Sequence, residues 1–268
     1  MFMKKTLLFV VVVLSIVLQF SGIASAGAIF DGILKKGDLV VGITGNQPPL
    51  NATTKEGEII GLDADLARAI AIGMNLNISF SKMPFSELLP ALQEGKVDMI
   101  VSGMTMTRER NTKVAFVGPY FVSGKGILLK LKSMELLKKE GLDSDKLRVS
   151  TLKGSTSQAV VESLAPKANL TLADSYDKAI ELLLQDKTDA VIADYPFCAY
   201  MSARFSEKEL VVGETKLTVE PLGIAMQEDA LLMNAVENSM KTLVLSGAMT
   251  SLQNKWFKSH SWFDQLPQ

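Results

Sequence analysis

Two stretches of the chain repeat one local plan, and that repetition limits the fold more than any single motif. ELLPALQEGKVDMIVSG (87–103) and AIELLLQDKTDAVIAD (179–194) each run from an apolar-faced helix through a polar turn to an aspartate and a buried strand. Gly103 follows Asp98 by five positions, and Asp194 follows Asp189 by five. The two halves therefore place Gly103 and Asp194 at matching carboxyl ends of matching strands. Open α/β sheets bind ligands beyond those strand ends. Two such lobes face to face would put both residues on opposite walls of one cleft.

The flanking sequence supports an α/β reading, because strand and helix patterns alternate along the chain. LVVGIT (39–44), ISFSKM (78–83) and VDMIVS (97–102) read as strands, and GLDADLARAIAIGM (61–74) as a helix with Asp63 and Asp65 near its positive end. Ser86 is expected to cap a short helix that stops before Gly95. A second pass begins after about residue 145: LRVSTL (147–152) as a strand, SQAVVESLA (157–165) as a helix, YDKAIELLLQ capped by Ser175, then the strand TDAVIAD (188–194).

The first 26 residues read as a cleaved secretory leader. Lys4 and Lys5 precede an apolar core, Leu7 to Leu18, broken only by Ser15, and Ala24-Ser25-Ala26 offers small residues for cleavage. A core of 12 residues is short for a bilayer span. Removing the leader takes away two lysines and no acids, leaving 26 basic against 29 acidic residues, net −3. A mildly acidic chain without a Lys/Arg block is a poor partner for nucleic acid or an anionic membrane. Cys198 is the only cysteine, so no intramolecular disulfide can form and burial must stabilise the core. No cysteine stands at the cleavage point to carry a lipid. These features fit a free, monomeric protein of a bacterial periplasm.

With those elements in order, G-x-T-x-T-x-E-R (103–110), VAFVGPYFVSGKGILLK, LKGSTSQA and TDAVIAD resemble the periplasmic solute-binding proteins of polar amino-acid ABC transporters. The resemblance runs from about Leu39 to Phe257. It implies the type II periplasmic-binding-protein fold: two α/β lobes joined by two hinge strands, crossing near Tyr120–Gly124 and Leu217–Pro221. The expected division is 1–26 leader, 27–122 first part of lobe one, 123–218 lobe two, and 219–268 the return to lobe one.

The same resemblance assigns roles. Arg110 would hold a ligand carboxylate, a task suited to a guanidinium, which offers paired donors and stays charged when desolvated. Thr105 and the amide of Thr156, at a helix start, would complete that clamp. Gly103 would turn its carbonyl to the ligand amine, with Asp194 as the ammonium's counter-ion. Phe85 would pack on the ligand side chain, and Ser102 would line the floor. The chain departs from the family at Thr44, where an acid is usual, and at Gln47, where an aromatic is usual. That departure keeps a second ligand class in view, a small carboxylic acid without an amine. The expected function is an extracytoplasmic receptor that closes around a small polar amino acid and delivers it to an inner-membrane permease. A sensory ligand-binding domain is the remaining alternative, although Gln268 ends the chain with no signalling module.

Enzymatic readings find little support. His260 lies near the C-terminus, Cys198 has no local partner, and no Gly-x-Ser-x-Gly elbow occurs. SGKG (123–126) leads into a strand rather than a helix, which excludes a phosphate loop. No cluster has metal-ligand spacing, so neither metal nor cofactor is expected. Dehydratases on this fold carry an acid just past the aspartate matching Asp194; here Tyr195, Pro196 and Phe197 stand there.

Overall fold

A computed structural model describes residues 27–213 and 215–267; the expected leader, 1–26, lies outside them. The first half runs α1 (Ala28–Lys36), β1 (Asp38–Ile43), β2 (Asn46–Gln47), β3 (Asn51–Thr53), β4 (Ile59–Ile60), α2 (Leu62–Gly73), β5 (Asn77–Lys82), α3 (Phe85–Gln93), β6 (Met99–Ile100), the four-residue α4 (Arg108–Asn111) and β7 (Ala115–Ser123). The second runs β8 (Lys125–Lys130), α5 (Met134–Glu140), β9 (Arg148–Leu152), α6 (Thr156–Leu164), β10 (Asn169–Ala173), α7 (Tyr176–Leu184), β11 (Ala190–Asp194), α8 (Tyr195–Arg204) and β12 (Leu210–Val212). The chain then returns through β13 (Glu220–Met226), α9 (Ala230–Leu245) and α10 (Ala248–Phe257).

These strands form two five-stranded sheets of one design, ordered β5-β1-β6-β13-β7 and β10-β9-β11-β8-β12. In each, three parallel strands are followed by an antiparallel strand that the other crossing delivers. β2, β3 and β4 make a separate small antiparallel sheet. The two-lobed α/β architecture expected from the sequence is therefore the one observed.

The repeated aspartates explain part of this likeness. Asp98 Oδ2 accepts from Val40 N at 2.8 Å, and Asp189 Oδ2 accepts from Arg148 N at 3.0 Å. Both aspartates also donate their own N–H to the carbonyl of the same residue, at 2.8 Å in each lobe. Each aspartate thus pins the strand that follows it to the parallel strand beside it, β1 in one lobe and β9 in the other.

Two local expectations fail. α3 begins at Phe85 behind Pro84, with no side-chain cap, and Ser86 lies in its first turn. Proline holds the extended entry at φ −54° and ψ 145°, so no hydroxyl is needed to set it. VDMIVS keeps ladder pairing only at Met99 and Ile100. Its start is turned toward Val40, and its end bends away to Gly103 at φ +59°.

The lobes meet where the chain crosses. Ser123, the last residue of β7, pairs with Glu220, the first of β13, and Lys125 opens the second sheet. Charged residues thus stand at the crossing itself.

Candidate functional site

Arg110 lies in α4, whose start is capped by Thr107: the hydroxyl accepts from Arg110 N at 3.1 Å. The side chain is only 7% exposed. Nη1 donates to Thr105 O at 2.9 Å, and Nη2 reaches the other lobe at Gly154 O, 3.3 Å away. The guanidinium also stands 5.5 Å over the Phe85 ring. Burial pushes its pKa down, while Glu220, Glu109 and Asp194 oppose that shift. Beside it, Thr105 Oγ1 and Thr156 Oγ1 meet across the lobes at 3.3 Å. The structure therefore brings Arg110, Thr105, Thr156 and Phe85 together.

Gly103 and Asp194 stand at the second focus. A Cβ on Gly103 would lie 2.6 Å from Gln47 Oε1, and its φ is already left-handed, so glycine is favoured there. Gln47 spans the lobes, its Nε2 donating to Asp194 Oδ2 at 2.8 Å. Thr44 and Ser102 sit deeper than expected. The Thr44 hydroxyl donates to Asn51 Oδ1 at 2.7 Å, and Ser102 Oγ accepts from Thr44 N at 3.0 Å.

Beneath them lies a network that sequence reasoning missed. Asp63, fully buried in the first turn of α2, accepts from Asn51 Nδ2 at 2.8 Å and Tyr120 OH at 2.7 Å. Tyr120 in turn accepts from Gly103 N at 3.2 Å, so this relay fixes the left-handed glycine. Burial pushes the Asp63 carboxyl up to about 6 despite those donors, and pushes the Tyr120 hydroxyl well above its usual range.

Lys125 and Glu220 were also missed as site residues. Lys125 is 1% exposed, with Nζ 3.0 Å from Asp194 Oδ1 and 3.9 Å from Glu220 Oε2. Glu220 accepts from Thr156 Oγ1 at 3.0 Å and Thr218 Oγ1 at 2.9 Å. A lysine opening an apolar strand, KGILLK, was the available signal. Its partner could not be read, because Lys125 meets Asp194 through the antiparallel register of β8 and β11.

Next to this cluster the lobes leave a groove of about 770 Å³, walled by Thr44, Asn46 and Lys82 on one side and Asp177, Ile180 and Arg204 on the other. Cys198 is buried, its thiol turned to Ala193 O at 3.7 Å and pushed up to about 12 by burial. A thiol so placed is a poor nucleophile. His260 is exposed. Among the described residues no cluster could hold a metal ion, and no helix is long and apolar enough to cross a membrane.

Known proteins resemble this chain in sequence and in fold. The arginine-binding periplasmic protein of Mannheimia haemolytica is 29% identical, over 78% of this chain and 86% of its own length. The glutamine-binding protein GlnH of an ABC transporter in Bacillus subtilis is 31% identical, over 75% of this chain and 74% of its own. Among solved structures, an ancestral amino acid-binding protein described as a precursor of cyclohexadienyl dehydratase aligns with TM-score 0.79 and 34% identity, covering 85% of this chain and 98% of that one. An ancestral arginine-binding protein bound to arginine aligns with TM-score 0.78 and 30% identity, covering 82% and 98%. The family model of bacterial extracellular solute-binding proteins, family 3, spans residues 39–259, both lobes and both crossings. The chain belongs to that family.

Proposed function

We propose that the protein is an extracytoplasmic receptor that encloses a small polar amino acid between its lobes and delivers it to the permease of an ABC transporter. The observation that carries this reading is the Arg110 guanidinium, buried where the lobes meet and bonded to backbone carbonyls of both. Among the described residues no carboxylate forms an ion pair with this cation, although Glu220, Glu109 and Asp194 act on it from further off. A solute carboxylate would supply that charge and could displace either carbonyl.

Lobe one, 27–122 with 219–268, first engages the solute through Arg110, Thr105 and Gly103. Lobe two, 123–218, then brings Thr156 and Asp194, with Phe85 and Gln47 at the solute's flanks and Ser102 and Thr44 bracing the floor. Excluding water lowers the local dielectric and strengthens the charge pairs. Export through a cleaved leader into the periplasm, action as a monomer, and binding without turnover complete the proposal. Tyr195, Pro196 and Phe197, where a dehydratase would carry an acid, support the last point.

Isothermal titration calorimetry against the twenty amino acids tests the reading. One amino acid should bind stoichiometrically and be recovered unchanged. Loss of no affinity in Arg110→Ala would sink the assignment of the clamp.

A further inference from the structure

Asp194 has both oxygens engaged by the chain itself. Oδ1 is paired with Lys125 Nζ at 3.0 Å, and Oδ2 accepts from Gln47 Nε2 at 2.8 Å. Lys125 is no passing surface cation: it is 1% exposed, Asp194 is 2% exposed, and strand register sets the two residues directly opposite. A buried ammonium is costly to leave unpaired, so Lys125 stays within reach of Asp194 and Glu220.

A solute ammonium arriving at Asp194 would meet a resident cation of the same sign. The other acid beside Lys125, Glu220, is likewise taken, accepting from Thr156 and Thr218, and the usual acid position on the opposite wall holds none. Thr44 stands there, its hydroxyl donating to Asn51, and Asp63 lies behind it with its oxygens taken by Asn51 and Tyr120. Of the unmatched polar atoms nearby, which include Asn46 Oδ1, one bears directly on Asp194's surroundings. Gln47 Oε1 is buried, accepts no hydrogen bond, and lies against Gly103. It calls for a donor, and a neutral donor satisfies it without adding charge beside Lys125.

We propose that Lys125 substitutes for the solute's ammonium at Asp194, so that the cleft accepts 2-hydroxy acids, with a hydroxyl where an amino acid carries its ammonium, at least as readily as the amino acids themselves. The hydroxyl would donate to Gln47 Oε1 while the carboxylate occupies the Arg110 clamp. This inference rests on the proposed reading of the cleft as a carboxylate site.

The exported protein is screened by thermal shift against the twenty L-amino acids and their L-2-hydroxy counterparts, such as alanine with lactate and glutamate with 2-hydroxyglutarate. Calorimetry then measures each pair that stabilises. The expected result is a hydroxy acid bound within about threefold of its amino acid, or tighter. Lys125→Met should then shift the ratio at least about tenfold toward the amino acid, because Asp194 regains a vacancy for ammonium. Lys125→Gln serves in its place should the methionine variant not fold. An amino acid bound more than about threefold tighter than its partner by the unmodified protein overturns the inference, as does a ratio unmoved by both variants. Binding of no member of any pair overturns the carboxylate reading beneath it, a result distinct from binding of amino acids alone.

Discussion

The two lobes share a strand order but begin their matching crossover helices, α2 and α3 against α6 and α7, by different means. In lobe two, α6 and α7 are capped locally: Ser155 Oγ accepts from Gln158 N at 3.3 Å, and Ser175 Oγ accepts from Lys178 N at 3.1 Å. In lobe one, α2 and α3 start at Gly61 and Pro84 with no side-chain cap. The acid in the first turn of α2, Asp63, turns inward to Asn51 and Tyr120 and so supports Gly103. Lobe one therefore directs the polar group of a helix start to the cleft floor, whereas lobe two keeps its own for the helix. The cleft inherits this asymmetry, with a hydrogen-bonded floor facing a wall that carries an internal ion pair.

The comparison can be broken first at the clamp. Arg110→Ala in lobe one should cost about 2–5 kcal/mol of solute binding, the scale for truncating a buried charge partner. Thr156→Ala in lobe two should cost about 0.5–1.5 kcal/mol, the scale of a neutral hydrogen bond. Equal losses by calorimetry would deny lobe one its leading part.

Asp63 comes next. Its folded pKa, about 6, lies above the unfolded value of about 4. The folded state thus holds this proton more tightly, and the group's contribution is fully present below about pH 4 and lost as pH rises through about 6. The total is about 2–3 kcal/mol. Urea unfolding at pH 4 and pH 7 should show that loss in the unmodified protein relative to Asp63→Asn, whose position 63 does not titrate.

Gly103→Ala should cost about 1–3 kcal/mol of stability, from a left-handed alanine that also crowds Gln47 Oε1. Ser175→Ala should cost about 1 kcal/mol through its lost cap. Ser86→Ala should stay within about 0.5 kcal/mol, because Ser86 caps nothing. A cap-sized loss at Ser86 would erase the distinction between the lobes.

Much of the fold was legible because its signals are local. The helix, polar turn, aspartate and buried strand recur within a short window, and Asp98 and Asp189 do the same work in both copies. The short distance from those aspartates to Gly103 and Asp194 placed both residues against Gln47. Arg110, Thr105 and Thr156 were legible through a motif held within one turn or helix start. What escaped reading depends on pairings distant in sequence. Lys125 finds Asp194 through strand register, Glu220 returns after a whole lobe, and Gln47 crosses a boundary that no local pattern announces. Ser86 was misread for the opposite reason: a good capping residue lost its place to the proline two positions before it.

The position of β13 inside the first sheet has a consequence for how the molecule assembles. β7 joins that sheet only through β13, which lies between it and β6. All five strands of the second sheet, by contrast, lie between Lys125 and Val212. As the polypeptide is made from its N-terminus, the later lobe has its complete set of strands while the earlier one still waits for a piece. The part of the receptor made first is the part that finishes last.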